Sequence, residues 1–215
     1  MKSLKYTYIP VVLCLVFLTS CKSKPIVIAT IGDSITSGAK HKKQSETAYP
    51  KVLGDLLGNG YNVVNCGRSG ATALINGNLP YWNCNEFSNV FALHPDIVTI
   101  KLGTNDTKPN NWNAKAYKES YQSLIDTLLT IQPQPKIYVC LPVPVFSHNK
   151  FKIRGEIVNN EVIPIVKELA QENNLSLIDL YKPFLGKDEL LPDGVHPEEE
   201  GAALIAELIA KQIRK

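Results

Sequence analysis

Three side chains of the 215-residue chain could together break an acyl bond. Ser34 follows an apolar run through Gly32, and a serine hydroxyl needs a base before it can act as a nucleophile. His196 is the best candidate for that base because it lies three residues after Asp193, so one loop can hold both. The carboxylate would then fix the imidazole tautomer and stabilise the imidazolium. The alternative is that Ser34 caps a helix and that Asp193 and His196 are turn and cap residues.

Acyl transfer also needs hydrogen-bond donors for the negative oxygen that develops on the substrate. Gly67 can offer a backbone N–H at a tight turn, and Asn105 can offer a side-chain amide. The backbone N–H of Ser34 would be a third donor. Taken singly, Gly67 and Asn105 are equally compatible with turn or cap roles.

The hydrophobic pattern predicts strands that alternate with helices along the chain. Apolar, β-branched runs predict strands at 25–31, 61–66, 96–102, 136–141 and 175–180. Helical spacing of apolar residues predicts helices at 46–58, 113–131, 156–173 and 197–213. Pro164 must kink or restart the third of these helices. This alternation is typical of an α/β domain with a parallel sheet covered on both faces, whose site forms at the carboxyl ends of the strands.

Four sequence segments resemble, in order, the blocks of the SGNH hydrolase superfamily, the GDSL-like esterases and lipases. They are Gly32-Asp33-Ser34-Ile35-Thr36, Gly67, Gly103-Thr104-Asn105-Asp106 and Asp193-Gly194-Val195-His196-Pro197. The resemblance extends over about residues 26–213 and has isoleucine where the familiar Gly-Asp-Ser-Leu has leucine.

The resemblance implies a flavodoxin-like, three-layer α/β/α sandwich with a five-stranded parallel sheet. It implies Ser34 as nucleophile, His196 as base and Asp193 as its orienting acid. Ser34, Gly67 and Asn105 would be the oxyanion donors, with no metal or organic cofactor. We expect Asp33 and Asp106, two acids beside these blocks, to brace loops by hydrogen bonds.

Aromatic residues in the loops after the second and third blocks are candidates for substrate binding. Tyr81, Trp82 and Trp112 could stack on a sugar ring or pack under their loops, and Arg68 could meet a sugar carboxylate or a neighbouring acid. The chain has no long apolar insertion that resembles a lipase lid, which favours a short acyl group, acetyl above all.

The chain resembles small carbohydrate or sialate O-acetylesterases of the superfamily, which implies a small-molecule or glycan ester as substrate. A lysophospholipase or thioesterase that acts on longer acyl chains is the alternative enzyme. A lipoprotein without catalytic activity that binds glycans or partners is a third possibility, against which the complete residue set argues.

The N-terminus has the pattern of an export signal. Lys2 and Lys5 precede an apolar run, and Leu18-Thr19-Ser20-Cys21 resembles a bacterial lipobox. We therefore expect a signal peptide at 1–20, a short anchor linker at 21–25 and the SGNH hydrolase domain at 26–215. An ordinary cleaved signal or a short anchor are the alternatives.

The net charge and the cysteine content limit the possible cellular location and binding partners of the protein. Removing residues 1–20 takes away two lysines and no acid, so the net charge falls from +3 to +1, which argues against nucleic-acid binding. Membrane attachment would depend on lipid at Cys21, and we expect an outer-membrane lipoprotein that faces the periplasm. Cys66 and Cys84 are the pair to test for a disulfide in that oxidising compartment, whereas Cys140 is expected to be a buried thiol.

Mass spectrometry of the mature N-terminus tests the lipoprotein hypothesis. We expect a chain that begins at Cys21 and carries two or three acyl groups, and a Cys21→Ser variant that carries none. An unmodified N-terminus at another position in the wild-type protein would contradict this prediction.

Overall fold

The computed structural model describes residues 24–39 and 44–215, in which five parallel strands form one sheet in the order β2-β1-β3-β4-β5. The strands are β1 (Ile26–Gly32), β2 (Tyr61–Gly67), β3 (Ile97–Lys101), β4 (Lys136–Cys140) and β5 (Ser176–Ile178). All five predicted strands are therefore confirmed, with ends that differ by at most two residues. The flavodoxin-like fold is confirmed as well.

Eight α-helices are described within these ranges. They are α1 (Ser34–Ser37), α2 (Gln44–Thr47), α3 (Tyr49–Leu57), α4 (Asn85–Leu93), α5 (Ala114–Leu128), α6 (Gly155–Ile157), α7 (Ile163–Glu172) and α8 (Glu199–Ile213). The sequence pattern missed α4, which begins after Cys84 without a side-chain cap and buries a single residue completely, Val90. A helix of nine residues with such weak signals is difficult to distinguish from a loop.

The helices cover both faces of the sheet and form two separate hydrophobic cores. Helices α4, α5 and α7 contribute to one core, with Tyr117 and Tyr121 among its largest side chains. Helices α3 and α8 contribute to the other core on the opposite face. All five residues of β3 are buried, as expected of a central parallel strand covered on both faces.

Two predicted helices contain irregular segments. The segment predicted as one helix at 46–58 is divided at Ala48 into α2 and α3, with Pro50 in the first turn of α3 as expected. A π-helical turn, Val158–Val162, precedes α7, and Pro164 lies in the first turn of that helix. Proline has no N–H to donate, so the regular helix restarts there as predicted.

The strand register brings the ends of three strands together. Gly32 at the end of β1 pairs with Gly67 at the end of β2 and with Lys101 at the end of β3. The chain leaves β1 toward β2 on one side and reaches β3 on the other, so the order of the strands reverses at β1. Open α/β sheets form their crevice at such a switch point, outside the carboxyl ends of the strands.

The N-terminal predictions lie outside the described residues, apart from Lys24 and Pro25. Within the described ranges, no helix has the length and apolarity needed to cross a membrane. The three cysteines of these ranges, Cys66, Cys84 and Cys140, are free and buried. Cys66 and Cys84 are therefore not joined in this structure, and Cys140 is the buried thiol that the sequence predicted.

Candidate active site

Ser34 is held at the start of α1, directly beyond the end of β1. The preceding residue, Asp33, caps this helix because its Oδ1 accepts a hydrogen bond from the N–H of Ile35 at 2.9 Å. Ser34 is 7% exposed, so little of it is open to solvent. Ser34 is the first residue of this helical turn, where backbone N–H groups have no partner within the helix.

Ser34, His196 and Asp193 form one hydrogen-bonded chain. His196 Nε2 lies 2.8 Å from Ser34 Oγ, and His196 Nδ1 lies 2.8 Å from Asp193 Oδ2. These contacts fit the tautomer in which Nδ1–H donates to the carboxylate and Nε2 accepts from the hydroxyl. The sequence predicted this grouping from residue types and spacing, and the fold brings the three residues together across 162 positions.

The loop that carries His196 is organised by the same aspartate. Asp193 Oδ1 accepts hydrogen bonds from the N–H groups of Val195 at 3.0 Å and His196 at 2.7 Å. Partial burial acts to raise the pKa of Asp193, but these N–H groups and the imidazole outweigh it and hold that pKa below its usual value. Asp193 is therefore ionised over the neutral range and can stabilise a positive charge on His196.

Phe151 is a site residue that the sequence did not reveal. Its ring packs edge-on against the His196 imidazole, with ring centroids 5.0 Å apart. Phe151 lies in the segment between β4 and α6, which has no polar motif to draw attention to it. The contact limits the orientations that the imidazole can adopt.

Gly67 is placed beside Ser34 by close backbone packing. A Cβ atom at this position would lie 2.3 Å from the backbone nitrogen of Ser37 in α1, so any other residue would force β2 and α1 apart. The Gly67 N–H donates to Asn65 Oδ1 at 2.9 Å, and Asn65 Nδ2 donates to the carbonyl of Thr36. Gly67 therefore lies against α1, the helix that Ser34 begins, and its N–H is bonded to a neighbouring side chain in this structure.

Asn105 follows β3 and reaches the same edge of the sheet. Its Nδ2 donates to the carbonyl of Ala71 at 3.2 Å, which uses one of the two amide hydrogens. Gly103, two residues earlier, has φ +127°, a conformation that favours glycine. This turn redirects the chain so that the buried Asn105 lies beyond the strand end.

Asp106 braces the loops after β2 and β3, as the sequence predicted. Its Oδ1 accepts from the N–H of Leu74 at 2.8 Å, whereas Oδ2 has no hydrogen-bond partner among the described residues. Burial raises the pKa of Asp106 to about 7, above the usual value near 4. The carboxyl group is therefore neutral in weak acid and becomes charged near neutral pH.

Asp33 braces the site through a buried ion pair. Lys101 Nζ lies 3.2 Å from Asp33 Oδ1 and 3.3 Å from Oδ2, and both side chains are almost fully buried. The loop-bracing role expected of Asp33 is confirmed. Its lysine partner was not anticipated, because Lys101 ends a strand and such a position gives no sign of burial.

The structure contradicts one substrate-binding prediction. Tyr81 is completely buried, and its hydroxyl donates to the carbonyl of Cys66 at 2.6 Å, so it is a core residue. A buried tyrosine can satisfy its polar end in this way while its ring packs in the core.

The other three candidates have structural partners of their own. Trp82 donates its indole N–H to the carbonyl of Ala73 and packs against Phe87, while the indole N–H of Trp112 donates to Glu161. Both rings are half-buried against the core. Arg68 is half exposed and lies 3.5 Å from Glu86, the neighbouring-acid alternative.

A cleft of about 360 Å³ opens beside this site. Its lining residues are Asn78, Lys108, Pro109, Asn110, Asn111, Phe151 and Lys152. Phe151 joins the cleft to His196, and Asn111 joins it to Asn105, because Asn111 Nδ2 donates to the Asn105 carbonyl at 3.1 Å. Asn111 also pairs with Asn78, so two amides are fixed in position along the wall. The cleft therefore has a mixed polar and apolar lining, and two of its residues contact His196 and Asn105.

The switch-point crevice and its serine, histidine and aspartate define an α/β protein with a hydrolase-like site. Residues 30–204 match the model of the GDSL-like lipase/acylhydrolase family. The chain belongs to this family, as the four sequence blocks indicated.

The chain is similar to known esterases and to a thioesterase. An acetylxylan esterase of Xylanibacter ruminicola is 36% identical over 90% of this chain, which spans 44% of that protein. The thioesterase 1/protease 1/lysophospholipase L1 of Escherichia coli K12 is 22% identical over 94% of this chain and 90% of its own length. The structure of Est24, a carbohydrate acetylesterase from Sinorhizobium meliloti, superposes with TM-score 0.71 at 22% identity, covering 88% of this chain and 98% of that one. The chain thus spans less than half of its 36%-identical relative.

Asp106→Asn tests the raised pKa of the buried carboxyl. Asn keeps the oxygen that accepts from Leu74 but cannot ionise. Because a raised folded-state pKa penalises the charged form, wild-type stability should fall as the pH rises from about 4 through 7, by on the order of 3 kcal/mol.

We therefore expect denaturant unfolding to show the Asn variant gaining stability relative to wild type between pH 5 and pH 8. Asp188→Asn, at an exposed turn, is the control and should follow the wild-type pH dependence. A constant difference between the Asp106→Asn and wild-type proteins at all pH values would contradict the prediction.

Proposed function

We propose that the protein is a serine ester hydrolase that removes short acyl groups, acetyl above all, from a carbohydrate. The observation that carries this proposal is the hydrogen-bonded chain of Ser34, His196 and Asp193, with both links at 2.8 Å. Such a chain supplies a nucleophile, a base within reach of its proton and a group that orients the base.

Hydrolysis proceeds in two steps. Ser34 Oγ attacks the ester carbonyl while its proton passes to His196 Nε2, and the C–O bond to the alcohol breaks as His196 returns the proton to the leaving oxygen. Water then attacks the acyl-serine with the same help from His196 and releases the acid. Asp193 remains ionised throughout, and its carboxylate stabilises the imidazolium.

The negative oxygen formed in each step is held by backbone and amide donors. Ser34 contributes its N–H at the start of α1, and Asn105 contributes the amide hydrogen that does not bond to Ala71. Gly67 contributes its N–H when the contact with Asn65 opens or is shared. Preorganised backbone N–H and side-chain donors of this kind stabilise the tetrahedral intermediate of acyl transfer.

The asparagine amides of the cleft support a sugar as the alcohol part of the ester. Its wall offers fixed asparagine amides and an aromatic side chain, which suit hydroxyl groups and a sugar ring better than a fatty acyl chain. The named activity of the 36%-identical relative points the same way. The E. coli relative carries thioesterase and lysophospholipase names, so hydrolysis of longer acyl chains is the second candidate.

The proposed setting follows from the N-terminal sequence. Lipid on Cys21 would attach the enzyme to the outer membrane on its periplasmic side, where it would meet imported glycan esters. The mature chain is nearly neutral, so we propose neither nucleic acid nor anionic lipid as a partner.

Labelling with a fluorophosphonate probe tests the nucleophile. The probe should label the wild-type protein at Ser34, and Ser34→Ala should abolish labelling and lower the turnover of a short-chain ester by roughly 10⁴-fold or more, since the Ser34 hydroxyl is the one bonded to His196 Nε2. Ser123→Ala, on α5 away from the site, is the matched control and should label as wild type does. Equal labelling of Ser34→Ala and wild type would refute the assignment.

A panel of esters separates the two candidate activities. We expect kcat/KM to be highest for acetyl esters, to fall with acyl chain length, and to be higher for acetylated oligosaccharides than for simple aryl acetates. The physical reason is that the cleft supplies amide contacts to a sugar. A preference for octanoyl over acetyl esters would favour the lysophospholipase or thioesterase alternative.

A further inference from the structure

The ion pair between Lys101 and Asp33 is an unusual feature for the centre of a parallel sheet. Lys101 ends β3, whose other four residues are Ile97, Val98, Thr99 and Ile100, and its side chain is 1% exposed. Asp33 is 0% exposed. Buried ion pairs often contribute less to stability than apolar residues of the same volume, because both charges lose their hydration. Stability alone therefore does not explain this pair.

The position of the pair links it to the nucleophile. Asp33 directly precedes Ser34, and its Oδ1 both accepts from the N–H of Ile35 and lies within reach of Lys101 Nζ. Lys101 in turn pairs in register with Gly32, the residue before Asp33. The ammonium group is therefore tied to the turn that presents the Ser34 hydroxyl and backbone N–H.

The charge of Asp33 would oppose the proposed reaction if it were alone. A carboxylate within one residue of Ser34, shielded from water, would raise the energy of the negative oxygen that forms at the Ser34 N–H. It would also favour the protonated form of His196, which cannot act as a base. A lysine on the same carboxylate cancels both effects and leaves its capping hydrogen bond in place.

We propose that Lys101 is a positioning residue for the nucleophile, which neutralises Asp33 and holds it as the cap of α1 while negative charge develops beside Ser34. The proposal rests on the ester hydrolase function proposed above. According to this proposal, catalysis needs the Asp33 oxygen that caps α1 but does not need the negative charge of Asp33.

Other titratable groups face Asp33 from the surrounding elements. They are Tyr49 on α3, Tyr117 on α5 and Asp106 in the loop after β3, while Cys140 on β4 faces Lys101. Burial raises the pKa of both tyrosines and raises that of Cys140 to about 12, so these three stay neutral between pH 5 and pH 9. Asp106 does titrate in this range, and pH profiles are therefore repeated in an Asp106→Asn background.

Four variants test the proposal. Lys101→Met removes the positive charge, Lys101→Arg keeps it, and Asp33→Asn with Lys101→Met removes both charges while keeping the capping oxygen. Lys51→Met is the control, because Lys51 forms an exposed ion pair with Asp55 on α3. For each variant, kcat, KM, the pH profile and the rate of fluorophosphonate labelling at Ser34 are measured, with thermal unfolding as the check of folding.

We expect Lys101→Met to lower kcat about 100-fold, the scale of losing one oxyanion donor, with KM changed less than threefold. The pH below which this variant loses activity should be higher than in wild type, because the unpaired Asp33 carboxylate favours protonated His196. Lys101→Arg and the double variant should both lie within tenfold of wild type, and the control should be unchanged.

The proposal is overturned if folded Lys101→Met keeps wild-type kcat and pH profile, or if the folded double variant is no more active than Lys101→Met. If Lys101→Met does not fold, the double variant decides alone, and a folded double variant more than 100-fold below wild type in kcat overturns the proposal. Failure of the esterase function itself would be recognised separately, since the wild-type protein would then not label at Ser34.

Discussion

The register of three parallel strands is the constraint on which the site depends. Because Gly32 pairs with both Gly67 and Lys101, the chain leaves β1, β2 and β3 at one level of the sheet. Ser34, the Gly67 N–H and Asn105 follow at that level, and a register shift of one residue would turn each strand's side chains to the opposite face. Asp193 and His196 lie in a separate loop before α8, so their position does not depend on this register alone.

The edge of the sheet carries many buried polar groups, and most of them are paired with one another. Asp33 serves both the helix cap and Lys101, Asp193 serves two N–H groups and the imidazole, and Asp106 joins two loops. Buried polar groups are costly when unpaired, so these contacts hold the loops in one arrangement. Among the described residues at this edge, Asp106 Oδ2 and Thr104 Oγ1 have no hydrogen-bond partner, and burial raises the pKa of Asp106.

Local sequence signals predicted most of the fold and the central residues of the site. The strands were found because β-branched runs alternate with helical periodicity, and Ser34, Asp193 and His196 were found because their types and positions fit one chemistry. The missed features depend on distant contacts. Tyr81 looked available for a ligand because nothing nearby in sequence shows that the Cys66 carbonyl accepts its hydroxyl. The partner of Lys101 was not anticipated either, since Asp33 lies 68 positions away in the sequence.

The side chain of Asn111 connects the cleft to the reacting centre. Its amide bonds both to Asn78 on the cleft wall and to the backbone carbonyl of Asn105, whose own amide is the proposed donor for the negative oxygen. A sugar that contacts the Asn78–Asn111 pair would therefore affect the position of the Asn105 backbone. In the proposed ester hydrolase, binding energy from the contact with the Asn78–Asn111 pair would help to align the Asn105 amide. A leaving group large enough to reach this pair would then raise turnover as well as affinity.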